Sequence, residues 1–295
     1  MTTGGLRIQT EVSAYGDKAM VKDIIVNLDV HGSHNVAADF AISVARIFNA
    51  HLCATGSAYE AAVPGSLFDR AAVEAIETQR QRCETAARTA IDRFEQAARG
   101  SGLSVESHLV KSDPDRAAEI FARLARRFDV AVLTQAEPEK SSPQASLIEA
   151  ALFDSGRPLL VVPYVQREGL KLGRAVVCWD GSRTAARALG DAMPFLARAQ
   201  NVQVVIVASE PGKSDEIPGA DIAHHLARHG MKVELKQIVV RDLVVANTIL
   251  SHVADAGADF IVMGGYGHSR LREFVLGGAT RGILGAMTVP TLMSH

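Results

Sequence analysis

Gly264, Gly265 and Gly267, then Gly277 and Gly278, interrupt a stretch of otherwise apolar and basic residues, VMGGYGHSRLREFVLGGATRGIL from Val262 to Leu284. The chemistry such a stretch offers is that of bare backbone amides. It follows an apolar run, Asp259 to Met263, that reads as a strand, and it precedes a helix expected to begin near Ala279. Strand, glycine loop and helix start form the geometry in which unpaired N–H groups converge on an anion. Gly264 and Gly267 can take positive φ and admit ligand oxygens where a β-carbon would clash. Gly277 and Gly278 fall at the helix start, where the positive end of the dipole favours a phosphate by about 0.3–1 kcal/mol at an exposed site. His268, Arg270 and Arg272 could add charge to the same oxygens; the alternative is that they are cations solvated on a loop. The stretch therefore reads as a phosphate cradle.

The elements that must position this cradle occur twice. VKDIIVNLDV (Val21 to Val30) is a β-branched run ending in an acid and followed by apolar residues at helical spacing. RAVVCWDGSRTAARAL, from Arg174, repeats the pattern, with Asp180 where Asp29 stood and a helix opening near Ser182 or Thr184. Phe128 to Gln135 answers Ala258 to Gly265, and Arg157 to Pro163 answers Val289 to His295. Strands alternating with helices require right-handed crossovers over a parallel sheet, and ligands then gather at the carboxyl ends of the strands. The fold class is α/β, with two tandem copies of a five-stranded parallel, doubly wound domain. The boundaries read as a disordered extension over 1–19, a first copy over 20–165 and a second over 172–295, joined by a polar, glycine-bounded linker. The first copy is longer by about 20 residues, a surplus placed in a long exposed helix between Leu67 and Gly100 whose counterpart, Asp221 to Gly230, is short.

The loop of the first copy that corresponds to the glycine stretch, Thr134 to Ala150, has kept its length and lost every glycine. Glu137 and Glu139 would repel phosphate, and Pro138 and Pro143 lack amide donors. One phosphate site is expected, in the second copy, beside a degenerate first copy that packs and regulates.

Composition removes several function classes. Lys plus Arg (31) nearly cancels Asp plus Glu (33), so no overall field draws the chain to nucleic acid or an anionic membrane. No apolar run approaches the roughly 18–20 residues of a membrane span, and no signal core follows the amino terminus, so a cytoplasmic protein is expected. Cys53, Cys83 and Cys178 form no Cys-x-x-Cys pair; Cys53 and Cys178 fall in strands and read as inert buried thiols. No metal site is expected: His225 and His229 stand one helical turn apart without a third ligand, and read as an exposed polar face. No nucleophile elbow, no Walker-type loop and no receiver-like cluster of acids is present, so no catalytic residue is assigned.

The spacing Gly264-x-x-Gly267, nine residues, Gly277, closing an α/β unit whose first strand ends at Asp180, resembles the universal stress protein family in its tandem form. The resemblance covers nearly all of the chain beyond Met20. It implies a Rossmann-like fold and ATP, with or without Mg2+, held by the glycine motif at its phosphates and ribose. It further implies that Asp180 meets the adenine or ribose end and that Val207 contacts adenine. Each has a plain alternative: Asp180 as a helix cap, Val207 as a core strand residue. Gly278 departs from the family pattern, which has Ser or Thr there; Thr280, two residues on, is the hydroxyl that could reach in. The implied role is a sensor of stress or energy state rather than an enzyme. The alternatives are a scaffold that binds no nucleotide, and a slow ATP hydrolase in which Asp180 or His268 orients water. The partners expected are an adenine nucleotide, a protein not identified by the sequence, and a second copy of the fold, through an internal pseudo-dimer of the fifth strands or a homodimer.

Overall fold

A computed structural model describes residues 7–8, 20–30, 35–60, 70–137, 143–208, 219–240, 244–265 and 278–295. The chain divides into two compact units, Val21–Gly169 and Leu170–His295, the latter including the amino-terminal segment Met1–Met20. Of residues 1–19 only Arg7–Ile8 are described; they form β1, which belongs to the second unit.

The first unit runs β2 (Asp23–Leu28), α1 (Val36–Phe48), β3 (His51–Tyr59), α2 (Arg70–Gly100), β4 (Val105–Ser112), α3 (Pro114–Ala125), β5 (Val130–Thr134), α4 (Gln144–Asp154) and β6 (Leu159–Val162). Its strands lie in the order β6-β5-β2-β3-β4 and pair in parallel throughout. Ile24 to Leu28 and Leu159 to Val162 are buried without a break, as a sheet covered on both faces requires. The long α2 carries the surplus expected from the repeat arithmetic. It carries ion pairs one turn apart, Arg88 to Glu84 at 2.8 Å and Arg99 to Glu95 at 2.7 Å. Its inner face sets Cys83 and Ala87 against Ala58 of β3.

The second unit runs β7 (Arg174–Cys178), α5 (Arg183–Leu196), β8 (Asn201–Ala208), α6 (Ala220–Arg228), β9 (Val233–Val239), α7 (Val245–Asp255), β10 (Phe260–Gly264), α8 (Gly278–Ala286) and β11 (Thr291–Ser294). The order is β1-β9-β8-β7-β10-β11, with five parallel strands and β1 antiparallel on β9, Arg7 opposite Glu234. Where α2 stands in the first unit, α6 is nine residues long.

One hydrogen-bonding device recurs in both. Asp129, ahead of β5, accepts from the backbone N–H of Lys22 (2.7 Å) and Asp23 (3.0 Å). Asp259, ahead of β10, accepts from Gly173 (3.0 Å) and Arg174 (3.2 Å). Each carboxylate satisfies donors at the start of the neighbouring central strand and so aligns the two strands whose far ends build the site. At those far ends a helix must start cleanly. Ser182 accepts from Ala185 N–H at 3.1 Å as the N-cap of α5. Ser182→Ala should therefore cost about 1 kcal/mol, read as a lower urea midpoint at unchanged slope.

Candidate functional site

The carboxyl ends of β7, β8 and β10 open onto a cavity of about 300 Å³. Val205 and Val207 of β8 and Met263 of β10 form its floor; Val245 and Ile249 of α7 form one wall. Asp180 and Thr184 close it on the α5 side, and Gly278, Ala279 and Thr280, the first turn of α8, on the opposite side. Five of the residues singled out in the sequence, Asp180, Val207, Gly264, Gly278 and Thr280, thus come together around one space. Gly267, His268, Arg270 and Gly277, with Arg272, lie outside the described residues.

Asp180 is exposed and follows the last residue of β7 by two positions. Its carboxylate accepts from Ser182 N–H at 2.9 Å across Gly181, whose φ of +73° is a turn that side chains resist. The helix cap is Ser182, so the capping alternative for Asp180 does not hold: Asp180 braces the turn before the helix, at the cavity edge. Val207 is half-buried, unlike Val204 and Val205, and faces the cavity rather than closed core.

Gly264 requires a correction. Its φ is not positive; it is the last residue of β10. A β-carbon there would lie 2.6 Å from the Ala185 nitrogen and 2.7 Å from the Thr184 carbonyl carbon. The glycine lets the start of α5 sit directly on β10, and it also lines the cavity. The strand then leaves the sheet at a fixed point, because Gly265 donates its N–H to Ser294 O at 2.8 Å and its carbonyl lies 3.0 Å from His295 Nδ1. Gly278 is the reverse case: a β-carbon there meets nothing within 4 Å. Thr280 is 3% exposed and lines the same space from α8.

Cys178 completes the apolar lining. Burial, and secondarily the charge of Asp180, pushes its thiol up to about 12, which favours the neutral form.

The first unit differs at the matching positions. Asp23 pairs with His51 and Arg174 with Asn201, so by register Thr55 and Ser57 fall where Val205 and Val207 lie. Thr55 donates to Asn27 Oδ1 at 2.9 Å, both side chains buried, and Ser57 is 4% exposed. Tyr59 is half-buried beside them; burial is the main cause raising its hydroxyl, which hydrogen-bonds Ser57 and feels Asp29. A polar, occupied strand end has replaced the apolar floor.

Residues 171–295 match the universal stress protein family. A universal stress protein of Synechocystis sp. is 25% identical over 174 residues, covering 56% of this chain; the chain spans 57% of the length of that curated relative. The crystal structure of a universal stress protein from Archaeoglobus fulgidus has a TM-score of 0.71 at 15% identity, covering 93% of this chain and 96% of that one. A functionally unknown protein from Pseudomonas aeruginosa has a TM-score of 0.59 at 13% identity, covering 93% and 92%. These two structures share the fold. The family match falls on the unit that holds the cavity.

One grouping escaped the sequence reading. Cys53 on β3 and Glu106 and His108 on β4 bring a sulfur, a carboxylate oxygen and an imidazole nitrogen within 4.8 Å of one another. His-x-Cys and Glu-x-His are visible as alternations, but nothing in the sequence sets the register, Cys53 opposite Glu106, that joins them. Among the described residues no helix is long and apolar enough to cross a membrane.

Proposed function

We propose that the chain is a tandem universal stress protein that binds ATP or a related adenine nucleotide in its carboxyl-terminal unit, and signals stress or energy state by occupancy. The observation that carries this reading is the cavity at the ends of β7, β8 and β10, whose lining contains Asp180, Val207, Gly264, Gly278 and Thr280. Its volume lies at the lower end of the roughly 300–1,000 Å³ of small-molecule pockets, enough for a base and sugar. Val207, Val245, Ile249 and Met263 offer a flat aromatic ring an apolar berth, while Asp180 accepts from ribose hydroxyls or a base amino group. The first turn of α8 lines the same space, and this reading assigns the phosphates to that helix start. The motif assigns Gly267 and Gly277 to those phosphates, His268 and Arg270 would add charge to the same oxygens, and Mg2+ is an optional companion. Occupancy would bias a second protein, an internal pseudo-dimer or a homodimer in the cytoplasm. The role proposed is binding; in the hydrolase alternative Asp180 is the cavity residue that would orient water.

Protein purified without added nucleotide, denatured, and chromatographed should release about one adenine nucleotide per chain. Released nucleotide absent, together with no calorimetric response to ATP, overturns the reading in favour of a scaffold; ADP accumulating with time favours hydrolysis.

The scaffold reading has one specific support, the missing hydroxyl at Gly278. Because the position is open and its backbone ordinary, Gly278→Ser should fold as before. The added hydrogen bond should tighten ATP binding by about 2- to 10-fold, measured by calorimetry. An unchanged or weaker affinity would place the phosphates away from α8.

A further inference from the structure

We propose that the first unit carries a site for a borderline-soft divalent metal ion, of which Zn2+ is the best fit, ligated by Cys53, Glu106 and His108. The site is independent of the nucleotide reading, since it lies in the other unit and shares no residue with the cavity.

Strand alternation puts His51 and Cys53 of β3 and Glu106 and His108 of β4 on one face of that strand pair. It is the face opposite the one Gly56 presents to Ile91 of α2. The three ligand atoms lie within 4.8 Å of one another. A tetrahedral ion with Zn–S near 2.3 Å and Zn–N near 2.0–2.1 Å needs ligand separations of about 3.5 Å, so rotation of exposed Glu106 and half-buried His108 closes the set without moving backbone. Thiolate, imidazole and carboxylate together suit Zn2+, and disfavour Mg2+ and Ca2+, which require oxygen.

Cys53 is fully buried, with Glu106 the exposed member of the set. On binding, the S–H proton leaves to solvent and the sulfur–metal bond replaces it, as metal binding to thiols always entails. Entry is from the Glu106 side, whose side chain is 54% exposed. His51 stands beyond, its Nε2 3.9 Å from Glu106 Oε1 and its Nδ1 2.9 Å from Ser104 Oγ, so it flanks and orients the carboxylate while water takes the fourth position. The bound ion ties β4, the last strand in the unit's order, to β3 and stabilises the unit by mass action.

The test uses the full chain, free of any purification tag and stripped with chelator. Titrated with Co2+, it should develop a near-ultraviolet sulfur-to-cobalt charge-transfer band that saturates at about one ion per chain and is abolished by Zn2+. Cys53→Ala should remove the band. His108→Ala and Glu106→Gln, both at accessible positions, should fold normally and weaken ion affinity by at least roughly 10- to 100-fold. Zn2+ should also raise the unfolding midpoint of the native chain and not of His108→Ala. A saturated Co2+ complex without the band, a band that survives Cys53→Ala, or Zn2+ affinity untouched by His108→Ala would each overturn the site.

Discussion

Replacing Gly264 by alanine is expected to lower the stability of the carboxyl-terminal unit by about 3 kcal/mol, at the upper end of what over-packing costs. The added methyl would stand 2.6 Å from the Ala185 nitrogen, 2.7 Å from the Thr184 carbonyl carbon and 2.7 Å from Thr184 Oγ1. Two of those three atoms are backbone in the first turn of α5, and that turn is pinned by the Ser182 cap and the Asp180 brace. Relief must come from moving α5 off β10, which also deforms the cavity, so ATP affinity should fall with stability. Gly278→Ala is the internal control. It directly follows the last glycine of the motif, yet its β-carbon meets nothing within 4 Å, and replacing a glycine whose backbone alanine accepts stabilises by about 0.4–1 kcal/mol. Urea unfolding of the two variants should therefore move in opposite directions. Equal midpoints for Gly264→Ala and the native chain would refute the packing role assigned to this glycine.

The second large effect is on binding. Val207→Glu should weaken adenine nucleotide affinity by at least about 100-fold, or 2.7 kcal/mol, because it sets a carboxylate in the berth of an uncharged ring and beside Asp180. The same change should leave stability within about 1 kcal/mol, since Val207 is half-buried and the new charge can reach water through the cavity mouth. Calorimetry and urea unfolding on one preparation separate the two readouts. Native affinity in Val207→Glu would remove the base from this floor.

Much of the fold is legible in the chain because its determinants are local. Apolar runs that need both faces covered mark the parallel strands, and landmark acids ahead of β5 and β10 recur because each clamps two amides of a neighbouring strand. The extra length of α2 can be counted. The site is legible in part for a different reason: residues at strand ends of a doubly wound sheet are gathered on one edge whatever the details, so Asp180, Val207, Gly264, Gly278 and Thr280 meet. What sequence spacing does not convey is what packs across. The spacing around Gly264 gives no sign that α5, some eighty residues earlier, lies on it. Likewise the spacing gives no sign that strand register places Glu106 and His108 beside Cys53. The two-residue β1 could not be anticipated at all, since Arg7 and Ile8 carry no period and find their partner in β9.

The most direct test is a calorimetric titration of ATP into nucleotide-free full-length protein. The account predicts one saturable site per chain, in the unit floored by Val205 and Val207, with none from the unit where Thr55, Ser57 and Tyr59 occupy the matching strand. No heat at millimolar ATP, or two equivalent sites per chain, would contradict it.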